Sequence, residues 1–492
     1  MAPTTSTELN PTDLTRMRRS IDRVRTLFVA AACFFAAHAT CVYAESANAE
    51  KPNIIFILAD DLGFNQLGCY GDTPIKTPNL DRLAGNGLRF TQAYAGNTVC
   101  SPSRVSLFTG RDGRLMHDNS NKVQLRDIDV TIAHVLKHAG YDTALFGKYS
   151  IGSQMGVTDP LAMGFDTWFG MYSILEGHRQ YPHFLWRDGE KFRIQENEAG
   201  RKGAYAQELF ADEAINYIDT DRDNPFFVML MFSSPHAELA APDEFVKPYI
   251  GEFDETPYTG MASGEPADKY AWYYPEPVQR PRATLAGMVT ALDAYVGNIV
   301  RTLEQRGIAD NTLIVFTSDN GPHDEGGGDP EFFKAAHPYQ GMKRDLFDGG
   351  IHVPMIAYWP AEIQTGRVDE TPCSFADVLP TCADLAGVPL TAVPRVKTNG
   401  ISLRPRLNDS PTSIPERTLY WEFGKQVGDP NSGVVGDVFQ AARRGKWKAV
   451  RYGKDAPLQL FSLDTDPGES KDLSSAHPEV HAEFKRLFEE QN

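Results

Sequence analysis

The stretch "NIIFILADD" (Asn53–Asp61) places six apolar residues in a row and stops at two aspartates. An unbroken apolar run of this length suits a strand covered on both faces, as in a parallel sheet. Three further runs end the same way. "YDTALFGKYS" (Tyr141–Ser150) ends at Lys148, "NPFFVMLMFSSPH" (Asn224–His236) at His236, and "NTLIVFTSDNGPH" (Asn311–His323) at Asp319 and Asn320. Between them lie segments of helical spacing: "TIAHVLKHAG" (Thr131–Gly140), "ELFADEAINYI" (Glu208–Ile218) and "LAGMVTALDAYVGNIVRTLEQRG" (Leu285–Gly307). Strands alternating with helices predict an α/β fold: a large, mostly parallel sheet flanked by helices. Sites in such sheets form beyond the carboxyl ends of the strands, so the four polar clusters are expected to build one composite site.

Its chemistry follows from the residue types. Asp60, Asp61, Asp319 and Asn320 are hard oxygen ligands without a soft one among them. That set suits calcium or magnesium rather than zinc. Each pair alone reads equally well as a polar turn; together they favour a metal. Arg104, Lys148, His236 and Lys343 add cations and donors. Singly, Lys148 is a surface lysine and His236 a cap, but a shared sheet edge reverses both readings. Carboxylates, one divalent ion and several cations form a receptor for an anionic, oxygen-rich group such as sulfate or phosphate.

"NTVCSPSRVSLFTGR" (Asn97–Arg111) sets Cys100 in a Ser/Pro turn before an apolar run. On residue type alone that cysteine is a small hydrophobe, a disulfide half, a metal ligand or a nucleophile. The stretch "CSPSR" with "SLFTGR" resembles the C-x-P-x-R signature of the sulfatases, in which the cysteine is converted to formylglycine. "NIIFILADDLGFNQLGCYG", "GKYSIG", "SSPH", "TSDNGPH", "GMKRDLFDGGIHVPMIAYWP" and "LQLFSLDTDPGESKDLS" follow in the family's order, so the resemblance spans about residues 51–475. It implies an alkaline phosphatase-like fold and a type I, arylsulfatase-like enzyme. Asp60, Asp61, Asp319 and Asn320, with the modified Cys100, would hold one calcium ion. Arg104 would stabilise the formylglycine hydrate, Lys148 and Lys343 would hold sulfate oxygens, and His236 would be the general acid. One hydroxyl of the hydrate would attack sulfur, giving a covalent sulfo-enzyme, and the second would expel sulfate. The family often has histidine where this chain has Ser150, which leaves the base to His178, His323 or water.

Composition bounds the partners. The chain has 492 residues and a formal charge of −17, which excludes a nucleic-acid coat. "MRRSIDRVR" (Met17–Arg25) precedes the uncharged run Thr26–Ala44, with Val42 and Ala44 placed for cleavage. This order reads as a signal peptide over 1–44, with Met17 a candidate start, and predicts export to the periplasm or beyond. A membrane anchor needs about 20 apolar residues, more than Leu27–Ala37 provides. Partners implied are the export machinery and a formylglycine-generating or anaerobic sulfatase-maturing enzyme. Cys373 and Cys382 are close enough in sequence for a bridge, and no C-x-x-C pair suggests zinc.

A composition shift near residue 412 divides a catalytic region (50–411) from a small C-terminal α+β domain (412–492), with antiparallel strands in "RTLYWEF", "DVFQAARRGKWKAVRY" and "LQLFSLD" and a last helix in "HPEVHAEFKRLFEEQ". "WFGMYSILEGHRQYPHFLWRDGEK" (Trp168–Lys191) is rich in aromatics and histidines; His178, Arg179 and His323 are the candidate substrate contacts, while Trp168 and Phe169 suit sugar stacking and core packing equally. Gly251–Pro277 reads as a long loop at the site mouth. The substrate expected is a sulfated glycan. Two rivals remain at this level: a phosphatase or phosphodiesterase of the same superfamily, and a glycan-binding protein with a decayed site. Asp60→Ala is expected to abolish activity with little loss of fold, as a ligand on an exposed edge.

Overall fold

The computed structural model describes residues 51–491 except 153, 263–265, 409, 411 and 425–437. The expected signal segment 1–44 lies outside the described residues.

A ten-stranded mixed sheet runs in the spatial order Arg367–Asp369, Leu88–Phe90, Met355–Tyr358, Thr312–Ser318, Asn53–Asp60, Phe226–Pro235, Asp142–Lys148, Thr167–Met171, Phe184–Arg187, Glu190–Arg193. The four chemistry-bearing strands are adjacent at its centre and mutually parallel. Alternation along the opening strand explains its unbroken apolarity. Ile55, Ile57 and Ala59 join one core cluster with helices Pro78–Asn86, Ala206–Asp219 and Pro281–Arg306. Ile54, Phe56 and Leu58 join the other with Cys100–Thr109, Ile132–His138 and Val378–Leu385. A strand buried on both faces has no solvent side, and each Ile, Leu or Phe hidden this way contributes about 1.5–3 kcal/mol. The 26-residue helix Pro281–Arg306 is long and apolar enough to cross a membrane, but it is mostly buried here as a core helix.

A second, antiparallel sheet follows, in the order Thr418–Gly424, Val438–Arg444, Trp447–Tyr452, Gln459–Ser462. One face takes Phe484 and Phe488 of the last helix, Pro478–Glu490. The other packs Trp421, Phe423 and Phe461 against Tyr94, Val99, Leu346 and Ile351. Cys69, Cys100, Cys373 and Cys382 are all free thiols, so Cys373 and Cys382 are not bridged.

Candidate active site

Three local devices aim the site. The pairing of Leu58 with Met231 gives way to Asp60 with Pro235, a register shift that re-aims the strand end. Asp61 then adopts a left-handed backbone (φ 64°), which aspartate tolerates better than most residues, and the two carboxylates leave the sheet in different directions. Gly147 has φ 109° and lies where a Cβ would sit 1.9 Å from the Met231 carbonyl oxygen, so only glycine brings Lys148 this close to the neighbouring strand.

The helix Cys100–Thr109 opens with the signature. Pro102 costs little in the first turn, where backbone N–H groups lack helical partners. Ser103 donates to the Asp319 carbonyl at 2.5 Å and fastens the helix to the strand end. Cys100 and Arg104, four apart, share a helix face. Arg104 forks onto Asp319 Oδ2 (Nε 2.9 Å, Nη2 2.7 Å), donates to the Lys148 carbonyl and lies 3.6 Å from Asp60. Cys100 is buried, and burial pushes its thiol pKa up; its Sγ lies 4.0 Å from Asn121 Oδ1.

Around them lies a buried lattice of alternating charge. Lys148 pairs with Asp60. Lys343 Nζ meets Asp61 (2.8 Å), Glu325 (2.9 Å) and His236 Nε2 (3.0 Å). Arg344 reaches Glu325 at 2.7 Å. Burial opposes the charge of Asp60, but Lys148, His236 and Arg104 hold its pKa down to about 2. Burial and then Asp60 push Asp319 up to about 8 despite Arg104. Two buried oxygens, Asp60 Oδ1 and Asn320 Oδ1, accept no hydrogen bond. Asn320 donates to Asp61 Oδ1 at 2.6 Å and Asp61 N–H to Asp319 Oδ1 at 3.1 Å, so the four residues converge. Orphaned oxygens in a carboxylate cluster fit a hard cation. Ligand atoms of Asp60, Asp61 and His236 also lie within 4.8 Å of one another.

The histidines form a stack. His236 lies between His178 (centroids 4.7 Å, 14°) and His323 (5.7 Å, 27°). Burial, then Lys343 and Lys148, pull the His236 pKa well down; burial, then Lys148, pull His178 to about 3. His323 is held at both ring nitrogens, by the Pro235 carbonyl at 3.1 Å and Glu325 N–H at 3.0 Å, so neither is free for substrate. Arg179 is exposed and pairs with Glu238 at 3.1 Å. Ser150 is buried and donates to the Ser173 carbonyl at 3.3 Å. Trp168 and Phe169 are buried core residues of their strand, so the sugar-stacking reading of these two gives way to packing.

Asp60 is buried, not an edge ligand, so the expectation that Asp60→Ala spares the fold is corrected: two buried cations would lose a partner. Sequence reasoning missed Glu325, which binds Lys343 and Arg344 and accepts from Tyr274 Oη at 2.7 Å. Its only signal was its place two residues after His323. Tyr274 belongs to the expected mouth loop, which Tyr258 and Val278 close by reciprocal backbone bonds of 2.9 and 2.8 Å.

A central parallel sheet whose carboxyl edge gathers carboxylates and cations around one cysteine defines a hydrolase of anionic esters with the alkaline phosphatase fold. The Sulfatase family model matches residues 52–388, and that of N-sulphoglucosamine sulphohydrolase, C-terminal, matches 339–492. The chain belongs to the sulfatase family and is a sulfuric ester hydrolase. It is 30% identical to human (Homo sapiens) arylsulfatase A, over 89% of this chain and 87% of that protein. It is 27% identical to the N-acetylgalactosamine-6-O-sulfatase of Bacteroides thetaiotaomicron, over 90% and 93%. The crystal structure of Ps i-CgsB in complex with k-i-k-neocarrahexaose superposes with a TM-score of 0.74 at 27% identity, covering 90% of this chain and 92% of that one.

Proposed function

We propose that this sulfatase removes sulfate from a sulfated glycan, with Cys100 converted to formylglycine and one calcium ion held by Asp60, Asp61, Asp319 and Asn320. The pair of orphaned buried oxygens on Asp60 and Asn320 carries this reading. A hydrated aldehyde at position 100 supplies a nucleophilic oxygen, and the ion supplies positive charge beside it.

The chain's own residues do the rest. Arg104 braces Asp319 and shares a helix face with residue 100. Lys148 and Lys343 present ammonium groups to the sulfate oxygens, and preorganised charge of this kind is a large part of catalysis in a dry site. His236 donates through Nδ1 to the Ala237 carbonyl, which leaves Nε2 facing Lys343 Nζ; the proton for the leaving oxygen is held between these two atoms. His178 covers His236 and excludes water, and His323 fixes it from behind. Ser150, its hydroxyl engaged with Ser173, makes space rather than acting as a base.

A glycan substrate is supported by the relatives' names, among them an N-acetylgalactosamine-6-O-sulfatase, and by the neocarrahexaose bound to Ps i-CgsB. Trp272, 73% exposed on the mouth loop that Tyr274 ties to Glu325, offers a stacking face for a sugar ring. Residues 50–411 form the catalytic region and 412–492 a smaller C-terminal domain. Export, to the periplasm or outside the cell, follows from the N-terminal segment, and a maturing enzyme acts on Cys100.

The test combines chemistry at residue 100 with turnover. Mass spectrometry of the active protein should show the Asn97–Arg111 peptide about 18 Da lighter than its thiol form, from replacement of SH by an aldehyde oxygen. A panel of sulfated oligosaccharides should release sulfate, and Cys100→Ala should release none. An unmodified thiol in fully active protein, or faster cleavage of phosphate than sulfate esters, defeats the proposal.

A further inference from the structure

The motif "FSLDTDPGES" (Phe461–Ser470) lies outside the reaction centre, yet it sends a charge into the interior. Asp466 accepts from Ser470 and Lys471 N–H groups, both at 2.8 Å, and closes a tight turn. Glu469 at its end has φ 52° and is buried. Its Oε2 accepts from Asp348 N–H at 2.5 Å, and its Oε1 pairs with the fully buried Lys448 at 2.8 Å. Lys448 Nζ also holds Asp348 Oδ1 at 2.6 Å, and Tyr94 Oη donates to Asp348 Oδ2 at 2.8 Å. Buried carboxylates and a lysine persist only when each is partnered in a fixed geometry.

What they grip is the segment that carries Lys343. On its other side the Lys343 N–H donates to the Pro322 carbonyl (2.9 Å), Arg344 N–H to Thr98 (3.0 Å), and Gly321 N–H to Gly350 (3.0 Å). From the C-terminal sheet, Tyr452 Oη accepts from Leu346 N–H at 2.9 Å. The 343–350 segment is thus clamped between the loops of the reaction centre and the C-terminal sheet.

We infer that the C-terminal turn is a positioning device for the active site: Glu469 and Lys448 hold Asp348, Tyr452 holds Leu346, and together they fix Lys343 against Asp61, Glu325 and His236. This rests on the proposed role of Lys343 at the sulfate. Glu469 and Tyr452 touch no substrate and act through the segment alone.

The full chain is assayed with 4-nitrophenyl sulfate as Glu469→Ala, Glu469→Gln and Tyr452→Phe, each alone and with Lys343→Ala, alongside hydrogen exchange of residues 343–350. Glu469→Ala and Tyr452→Phe should lower kcat by roughly ten- to a hundredfold with KM within about threefold, less than or near the loss for deleting a preorganised donor. Glu469→Gln keeps an acceptor for Asp348 N–H and should retain about half of kcat. In the Lys343→Ala background the same changes should cost less than about twofold, because residues acting through one group are not additive. Exchange at 343–350 should rise while the central strands stay protected. A folded Glu469→Ala protein with wild-type kcat, equal fractional losses in both backgrounds, or unchanged exchange overturns the inference. If Glu469→Ala does not fold, Tyr452→Phe decides by the same criteria. Full activity of Lys343→Ala alone would instead defeat the role assigned to Lys343, and the exchange measurement would still decide whether the turn orders the segment.

Discussion

Asp60 is fully buried, pairs with Lys148 and sits 3.6 Å from Arg104. Breaking a buried ion pair from one side costs about 3–5 kcal/mol, since the remaining charge stays desolvated. Asp60→Ala should therefore abolish turnover and also lower Tm measurably; calorimetry showing an unchanged Tm would refute the structural half of that statement. Ser150 makes the opposite case. Its hydroxyl is spent on a backbone carbonyl, so Ser150→Ala should keep at least a tenth of kcat, a loss below about 1.4 kcal/mol. His178→Ala should cost more on a sulfated glycan, because it uncovers the ring of His236. Kinetics in which Ser150→Ala is nearly dead and His178→Ala is unaffected would reverse both assignments.

At the scale of elements, the short turn Glu176–His178 lies directly on the lysine at the end of its neighbouring strand. Glu176 secures that turn by accepting from Tyr172 and Ser173 N–H groups at 2.9 and 3.1 Å and from Trp186 Nε1. A Cβ on Gly177 would sit 2.7 Å from Lys148 Cε. Lys148 is fully buried against Asp60 and its Cδ and Cγ crowd the same Cβ, so Gly177→Ala should still fold but with a lowered Tm. The displaced ammonium should lower kcat/KM at least about tenfold, or roughly 1.4 kcal/mol. Unimpaired kinetics in that variant would show that Lys148 has slack. The same turn marks where sequence reading stopped. The sequence offers His178 and Arg179 side by side in one polar stretch, but the turn points one ring onto His236 and leaves the other residue outside, paired with Glu238.

For the whole molecule, the proposed ion would bind the folded chain and not the unfolded one. Ligand at about a hundred times its Kd adds roughly 2.7 kcal/mol of stability. Chelation should therefore lower Tm and abolish turnover together, and calcium should restore both, while zinc should not restore turnover. Full activity after exhaustive chelation, or stoichiometric zinc in the active protein, would contradict the oxygen-ligand reading.

The four central strands, their parallel pairing and the edge that carries the chemistry were legible in the sequence by itself, while the antiparallel strands at the sheet's flanks were not. The middle of a run covered on two faces is apolar and its polar residues gather at the ends, so the place where each run stops is written in the chain. The signature around Cys100 was legible through its resemblance to the sulfatase C-x-P-x-R motif, whose cysteine and arginine one helical turn brings onto a shared face. Glu325, the pairing of Asp60 with Lys148 and the grip of Glu469 on Asp348 were decided only by the tertiary structure. Each joins loop or strand-end residues far apart in the chain, with no periodicity to announce them. Whether such a charge is exposed or buried depends on which neighbours the fold brings against it, and that is why an aspartate read as an edge ligand is instead enclosed between a lysine and an arginine.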